Sequence, residues 1–194
     1  MNPTPKLLPG DIVLTGGRSW IARAVRFFST QPDESATWAN HAMIVAPNGR
    51  LVSMEPVFGK YRDLADFAGD MIAVYRVNRI EKRGGEIVTV TDRDRERLGV
   101  AAANYVGCFY GVAKCLLHAV GLRRFCTFDA FPICSWAVAM PYAHILGVNE
   151  WPLVDAFTRR FVPAREVTPD DLADFCEHPY GRSQVSLVYS EGVQ

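Results

Sequence analysis

The chain has 194 residues, of which 49% are hydrophobic and 22% are charged, a composition typical of a globular protein with one substantial core. Its 21 lysines and arginines balance its 21 aspartates and glutamates, so no net charge attracts nucleic acid or an anionic membrane. We therefore expect one domain over residues 1–194 and no nucleic-acid partner.

The N-terminal segment and the cysteines bear on cellular location. Prolines interrupt residues 1–9 before any apolar stretch long enough for a secretion signal can form. The irregular cysteine spacings do not suggest a disulfide framework and favour free thiols in a reducing compartment (Cys108, Cys115, Cys126, Cys134 and Cys176). These features predict a cytoplasmic protein, which would need lysis or another delivery route to reach a substrate outside the cell.

Two elements are predicted before the first candidate site residue. Residues 10–15 have the pattern of a short strand that ends at a pair of glycines. Apolar residues then recur at helical spacing from Trp20 to Phe28, with arginines on the other faces, which predicts an amphipathic helix with a basic side. A polar loop over residues 30–40 follows and leads directly to His41.

His41 opens an apolar strand, and a second strand follows a turn at residues 47–49, so the pattern predicts a β-hairpin. A two-residue loop would place His41 opposite Pro56, whereas a three-residue loop would place His41 opposite Glu55. We prefer the three-residue loop, because proline suits the first corner of a type I turn and glycine suits the left-handed position. Glu55 is then the candidate partner of the imidazole, the alternative being an acid on the surface of an edge strand.

Four further elements are predicted. Residues 70–77 alternate as a half-buried strand, and Thr91 or Asp92 begins a helix that continues from Leu98 into the core. The residues after Cys134 are good helix formers up to Pro141. The tail is predicted to be an extended wrap with one small helix after Thr168.

One apolar stretch requires comparison with a membrane helix. Residues 98–120 contain no acidic side chain and are long enough to span a bilayer. However, Asn104, Lys114 and His118 interrupt the stretch, and its alanine-rich character suits a helix buried in a protein core. We predict no transmembrane helix, and membrane association is not indicated.

Cys134 is the candidate nucleophile. A thiol at the start of a helix lies near unpaired backbone N–H groups and the positive end of the helix dipole, and both stabilise the thiolate. An imidazole such as that of His41 is the usual base for such a thiol. Tyr105, Tyr110 and Ser135 are candidates for oxyanion or substrate binding, although packing is the stronger expectation for the two tyrosines.

Other kinds of site are not predicted. The spacing of Cys108, Cys115 and His118 matches no zinc motif, so we predict no metal. The sequence has neither a glycine-rich loop for phosphate nor a Gly-x-Ser-x-Gly motif. We therefore predict no cofactor and no serine nucleophile.

The order of the motifs resembles the permuted papain-like NlpC superfamily, in particular its YaeF/YiiX-type branch. A Gly10-Asp11 strand comes first, and His41 at the head of a strand, Glu55 closing the next strand, Cys134-Ser135 opening a helix and a Thr168-Pro169 helix start follow. The resemblance implies an α+β, papain-like fold in which a small antiparallel β-barrel or sheet packs against helices. It also implies Cys134 as nucleophile, His41 as general base and Glu55 as the residue that orients His41.

We therefore interpret the chain as a cysteine-dependent amide hydrolase, an amidase or peptidase, that forms a thioester acyl-enzyme on a peptide or peptidoglycan-like substrate. A first alternative is a lipid acyl hydrolase or acyltransferase, served by the apolar residues 109–120 and the basic helix. A second alternative is a binding or structural module that keeps the fold without turnover.

Overall fold

The computed structural model describes residues 6–17, 38–55, 57–111, 133–154 and 159–193, and for residues 153, 154, 159 and 160 it describes the backbone. The strands are β1 (Ile12–Gly16), β2 (His41–Val45), β3 (Leu51–Met54), β4 (Gly59–Arg62), β5 (Met71–Val77), β6 (Arg79–Glu81), β7 (Ile87–Thr89), β8 (Glu150–Val154), β9 (Arg159–Pro163) and β10 (Val185–Glu191). The helices are α1 (Asp92–Ala103), α2 (Cys134–Leu146), α3 (Pro169–Glu177) and α4 (Pro179–Arg182), with short 3-10 turns at Leu64–Phe67 and Ala164–Glu166.

Six strands form one antiparallel sheet in the order β10-β5-β1-β2-β3-β4, and the fold is α+β as predicted. Within the described residues, no pairing joins β10 to β4, so the sheet is open and the predicted barrel does not close there. The pairs β6-β7 and β8-β9 are separate hairpins.

The two faces of the sheet have separate cores, because successive side chains of a strand point to opposite faces. On one face, Ala42, Ile44 and Val52 pack in a cluster that includes Val138 and Tyr142 of α2. We call this the helix face, and it also carries the edge-to-face aromatic contacts of Trp151 with Tyr142 and Phe175. On the other face, which we call the far face, a second cluster of buried side chains contains Val13, Met43, Val45, Leu51, Ile72 and Val74.

The hairpin of β2 and β3 has the three-residue loop that the sequence predicts. The Ala46 N–H donates to the Arg50 carbonyl at 2.8 Å, and Gly49 occupies the left-handed region with φ of 76°. Met43 pairs with Ser53 and Val45 with Leu51, and extending this register places His41 opposite Glu55. The preference for Pro47 at the turn therefore set the correct register.

Helix α1 begins as predicted but ends earlier than predicted. Thr91 caps its N-terminus, with the Asp94 N–H donating to the Thr91 hydroxyl. The helix ends at Ala103 instead of continuing through residue 120, because the following chain turns and forms bridges to the edge of the sheet, Val106 with Gly59 and Phe109 with Phe58. Among the described residues, no helix has the length and apolar character needed to span a bilayer.

Helix α2 continues past Pro141, where the sequence predicted its end. Proline removes one helical hydrogen bond, but buried Val138, Tyr142 and Leu146 hold both halves of the helix against the core. The helix ends at Gly147, whose φ of 70° is the left-handed conformation that favours glycine, and the Gly147 N–H donates to the Ala143 carbonyl at 3.0 Å.

The C-terminal region is more regular than the predicted extended wrap. The small helix α3 is confirmed, with Thr168 as its cap and the Asp171 N–H donating to the Thr168 hydroxyl. The tail also contains the β8-β9 hairpin, and β10 pairs with β5 as an edge strand of the main sheet. The predicted helix at 20–28, most of the 30–40 loop and residues 112–132, including Cys115, His118 and Cys126, lie outside the described residues.

The Gly10-Asp11 motif has a structural role. Asp11 is fully buried, receives hydrogen bonds from Arg76 at 2.7 and 2.9 Å, and lies 3.8 Å from Arg95. The Tyr142 hydroxyl donates to the Gly10 carbonyl at 2.8 Å. These contacts fix α1 and α2 to the start of β1, and the two helices pack against the same face of the sheet.

Candidate active site

The far face of β2 and β3 carries a polar cluster that begins at His41. His41 is the first residue of β2 and pairs with Thr15 of β1. Its Nε2 lies 2.9 Å from the Ser53 hydroxyl, and Ser53 is fully buried. Since Ser53 pairs with Met43, the imidazole reaches Ser53 diagonally along the far face.

Glu55 joins the cluster through the same serine. The Ser53 hydroxyl donates to Glu55 Oε1 at 3.4 Å, so Glu55 connects to His41 through Ser53. Two cations of β4 hold the Glu55 carboxylate, with Lys60 Nζ at 2.6 Å and Arg62 Nε at 2.5 Å. We refer to these five residues as the His41 cluster: His41, Ser53, Glu55, Lys60 and Arg62.

The electrostatics of the cluster keep the imidazole neutral. Burial lowers the pKa of His41 from 6.5 to about 4, with the Glu55 charge acting in the opposite direction and the Arg62 charge adding to the lowering. Partial burial raises the pKa of Glu55, but hydrogen bonds and charge from Arg62 and Lys60 outweigh it and leave the pKa below its usual value. At pH 7, His41 is therefore an uncharged imidazole beside an ionised carboxylate.

Cys134 is the first residue of α2, as the sequence predicted. It follows Ile133, whose backbone is extended, so the thiol lies at the start of the helix. Cys134 is 5% exposed and packs with Met54 and Ala137, and Tyr105 and Tyr110 pack against this group. We call this group the Cys134 cluster, and it contains both of the tyrosines that the sequence proposed as oxyanion or substrate-binding residues.

Ser135 has a structural contact. Its hydroxyl is fully buried and donates to the Val167 carbonyl at 2.6 Å, which ties the first turn of α2 to the segment before α3. Only its backbone N–H, in the first turn of the helix, remains a candidate for oxyanion binding.

The structure brings His41 and Glu55 together but places Cys134 on the other side of β3. Met54, which Cys134 contacts, and Ser53, to which His41 is bonded, are consecutive residues of β3 and point to opposite faces. The imidazole of His41 is hydrogen-bonded to the Ser53 hydroxyl. The two clusters are thus neighbours across one strand.

The sequence interpretation missed three members of the His41 cluster: Ser53, Lys60 and Arg62. Strand alternation contained a signal for Ser53, because residues 53 and 55 share the face of residue 41 once the hairpin register is chosen. The contribution of Lys60 and Arg62 depends on β4 pairing with β3, with Lys60 opposite Ser53, and the residues alone gave no signal for that pairing.

The edge of the sheet next to Glu55 has an unusual backbone and an apolar surface. Val57 has φ of 98°, a conformation that costs a β-branched residue free energy and that is often found near functional sites. Val57, Phe58 and Phe109 are exposed, and the Tyr110 N–H donates to the Val57 carbonyl at 2.9 Å. This apolar edge is therefore continuous with the Cys134 cluster.

Comparison with known proteins relates the chain to a solved structure by its fold. No family model matches the sequence. No curated protein matches it either. The crystal structure of metalloprotein YiiX from Escherichia coli O157:H7 is similar in fold, with a TM-score of 0.55 and 21% sequence identity over 95% of this chain and 97% of that one. The fold is thus YiiX-like, in agreement with the YiiX-type resemblance of the sequence motifs.

Proposed function

We propose that the protein is a cysteine-dependent amide hydrolase of the permuted papain-like NlpC type. Cys134 is the nucleophile, His41 is the general base, and Glu55 is the carboxylate that orients His41. The observation that carries the proposal is the position of Cys134. It begins α2 and packs with Met54, the residue between Ser53 and Glu55, so a thiol at a helix start adjoins β3, which leads to the carboxylate of Glu55 and pairs with the strand that begins at His41.

The proposed reaction has two half-reactions. The Cys134 thiol gives its proton to His41 while the sulfur forms a bond to the carbonyl carbon of the substrate. Backbone N–H groups at the start of α2 stabilise the oxyanion, and the imidazolium returns the proton to the leaving amine as the C–N bond breaks. Water, deprotonated by His41, then cleaves the thioester and releases the acid.

The resting site is not a preformed ion pair. Because His41 is neutral at pH 7 and bonded to Ser53, the thiol proton has to be transferred when the substrate is bound. Transfer also requires the sulfur and the imidazole to meet at the end of β3, so either the start of α2 or the His41 ring changes position during turnover. General base catalysis of this kind contributes about 10²- to 10⁴-fold to the rate.

The direct test is a Cys134→Ala variant measured with a panel of peptide and peptidoglycan-like amides. Turnover should fall at least about 10²-fold while the fold is kept, because a buried thiol behaves as a small apolar group. Cys108→Ala is the matched control, since Cys108 is a partly buried free thiol outside the Cys134 cluster. Near-normal turnover of Cys134→Ala would exclude the proposed chemistry.

A second candidate function is a binding or structural module without turnover. The observation that favours it is the separation of the two clusters by β3, with Cys134 only 5% exposed. A module of this kind would show no faster alkylation of Cys134 than of Cys108 and no turnover of any amide or ester.

The apolar edge favours acyl substrates as a third candidate. Val57, Phe58 and Phe109 expose apolar side chains beside the Cys134 cluster, where an acyl chain could lie against them. Turnover of long-chain acyl esters above that of peptide amides would favour the lipid acyl hydrolase or acyltransferase, and Phe109→Ser should then raise KM for the acyl ester alone.

The fold neighbour is a metalloprotein by name, and a metal site in this chain would need several His, Cys, Asp or Glu donors close together. Among the described residues, no group of three or more His, Cys, Asp and Glu side chains is placed to hold a metal ion. In the His41 cluster, the Glu55 carboxylate is already bonded to Lys60 and Arg62. The described donors do not fit a metal site, and the proposed mechanism uses no metal step.

A further inference from the structure

We propose that Ser53 is a positioning residue that sets the tautomer of His41. Its hydroxyl accepts the Nε2–H of the imidazole and donates to Glu55, which leaves Nδ1 as the proton-accepting atom. The catalytic consequence rests on the proposed function, whereas the assignment of the tautomer does not.

The proton count at Ser53 determines the direction of both hydrogen bonds. A serine hydroxyl has one proton to donate, and an ionised carboxylate can only accept. The proton of Ser53 therefore goes to Glu55 Oε1 at 3.4 Å, and the contact of 2.9 Å to His41 Nε2 has to be one in which the ring donates. A neutral imidazole carries a single N–H, so Nδ1 has the lone pair.

Burial makes this arrangement selective. Ser53 is fully buried, so solvent does not compete for its hydroxyl. If the ring carried its proton on Nδ1, the Ser53 hydroxyl would have to donate to Nε2 and abandon Glu55. A hydrogen bond to a charged acceptor contributes about 1.5–3 kcal/mol at ordinary length, and the longer 3.4 Å contact contributes less, so we expect the Nε2–H tautomer to be the major form.

The charged neighbours keep the acceptor in place. Glu55 is held by Lys60 at 2.6 Å and by Arg62 at 2.5 Å, and Arg62 also lies 3.6 Å from Asp66. From the other side, β1 presents the uncharged Thr15 opposite His41. Within the described residues, the carboxylate that faces Ser53 is therefore Glu55, fixed by two cations of β4.

The arrangement assigns different tasks to the two ring nitrogens. Nε2 faces Ser53, so the base for the Cys134 thiol has to be Nδ1, on another edge of the same ring. The Ser53 hydroxyl lies between the imidazole and the carboxylate, so His41 is hydrogen-bonded to Ser53 instead of directly to Glu55. Direct contact was the expectation from the sequence, and the structure assigns that position to Ser53.

The test is the tautomer of His41 in the full chain at pH 7, measured by long-range ¹H–¹⁵N NMR of the histidine side chains. His41→Gln identifies the signals of His41. We expect the wild type to show mainly the Nε2–H form, Ser53→Ala to lower the ratio of the Nε2–H form to the Nδ1–H form at least 3-fold, and Ser53→Thr to restore it. Ser186→Ala, which removes an exposed hydroxyl on β10, is the matched control and should change nothing.

Two results would overturn the inference. One is a wild-type spectrum with the proton of His41 on Nδ1, and this measurement needs no variant to fold. The other is a Ser53→Ala variant that keeps the wild-type tautomer population.

If the protein hydrolyses an amide, the kinetics of the Ser53 variants test the positioning role independently of the NMR measurement. We expect kcat of Ser53→Ala to fall about 10-fold with little change in KM, and Ser53→Thr to recover it, because part of the general base catalysis is lost. If Cys134→Ala keeps full turnover while the tautomer responds to Ser53, the proposed function fails and the positioning role stands. If Cys134→Ala is inactive and Ser53→Ala leaves the tautomer ratio of His41 unchanged, only the positioning role fails.

Discussion

The two sides of β3 differ in how their functional groups are held. On the far face, hydrogen bonds and ion pairs fix the His41 cluster, with Glu55 held by Lys60 and Arg62. On the helix face, Cys134 is positioned by packing with Met54 and Ala137 and by the start of α2. The difference shows that the base is positioned by the local pairing of three consecutive strands, whereas the nucleophile depends on a helix that comes about 80 residues later in the chain.

Truncating Met54, the residue of β3 that packs with Cys134, gives the largest expected effect. Met54 is 1% exposed and packs with Cys134, so Met54→Ala should lower the free energy of unfolding by about 2–5 kcal/mol. The same change should speed alkylation of Cys134, because the cavity opens beside the sulfur. Denaturant unfolding and mass-resolved labelling measure the two effects.

Met43→Ala is the matched control for this variant. Met43 is fully buried on the far face of β2, so its truncation should destabilise the protein to a similar degree and leave the labelling of Cys134 unchanged. Equal acceleration in both variants would mean that general loosening of the fold exposes the thiol. The two faces would then not be independent.

The far face should also make stability depend on pH. The pKa of His41 is about 4 in the folded protein against 6.5 in the unfolded chain, so the unfolded state binds more protons between these values. Stability should therefore fall as pH decreases from about 6.5 toward 4. Between pH 7 and pH 5 the loss should be at most about 2 kcal/mol, because only about 1.5 pH units of this range lie between the two pKa values and each unit contributes about 1.4 kcal/mol.

Urea unfolding of the wild type and of His41→Gln at pH 7 and pH 5 measures this contribution. The glutamine variant should lose less stability over the same range, by the share that His41 contributes. Glu55 is present in both proteins, and Arg62 and Lys60 lower its pKa, so its titration does not distinguish them. Identical pH dependence in the two proteins would show that the folded environment leaves the imidazole as it is in the unfolded chain.

The contrast between the two faces also explains what the sequence could predict. The hairpin register followed from Pro47 and Gly49, because turn chemistry acts over a few residues. The helix starts at Thr91 and Thr168 were predictable for the same reason, since a capping side chain and its partner lie three residues apart. Cys134 was identified as a candidate nucleophile in a similar way, because the residues after it predict a helix that starts there.

Features that depend on distant contacts were not predictable. Helix α1 ends at Ala103 because Val106 and Phe109 form bridges to Gly59 and Phe58 at the edge of the sheet. Helix α2 continues past Pro141 because its apolar side chains are buried. The ion pairs of Glu55 depend on β4 pairing with β3, which no local pattern specifies. The predicted contact between His41 and Glu55 was correct in register but missed Ser53, because a register defines faces and not hydrogen-bond partners.

The central claim is that His41 and Cys134 act as one unit across β3. The turnover of an amide by the wild type, His41→Gln, Cys134→Ala and the double variant tests it most directly. We predict that each single variant lowers kcat at least about 10²-fold and that the double variant is no slower than Cys134→Ala, because the effects of residues that act as a unit do not add. Near-normal turnover of His41→Gln, or a double variant whose loss is the product of the two single losses, would contradict the claim.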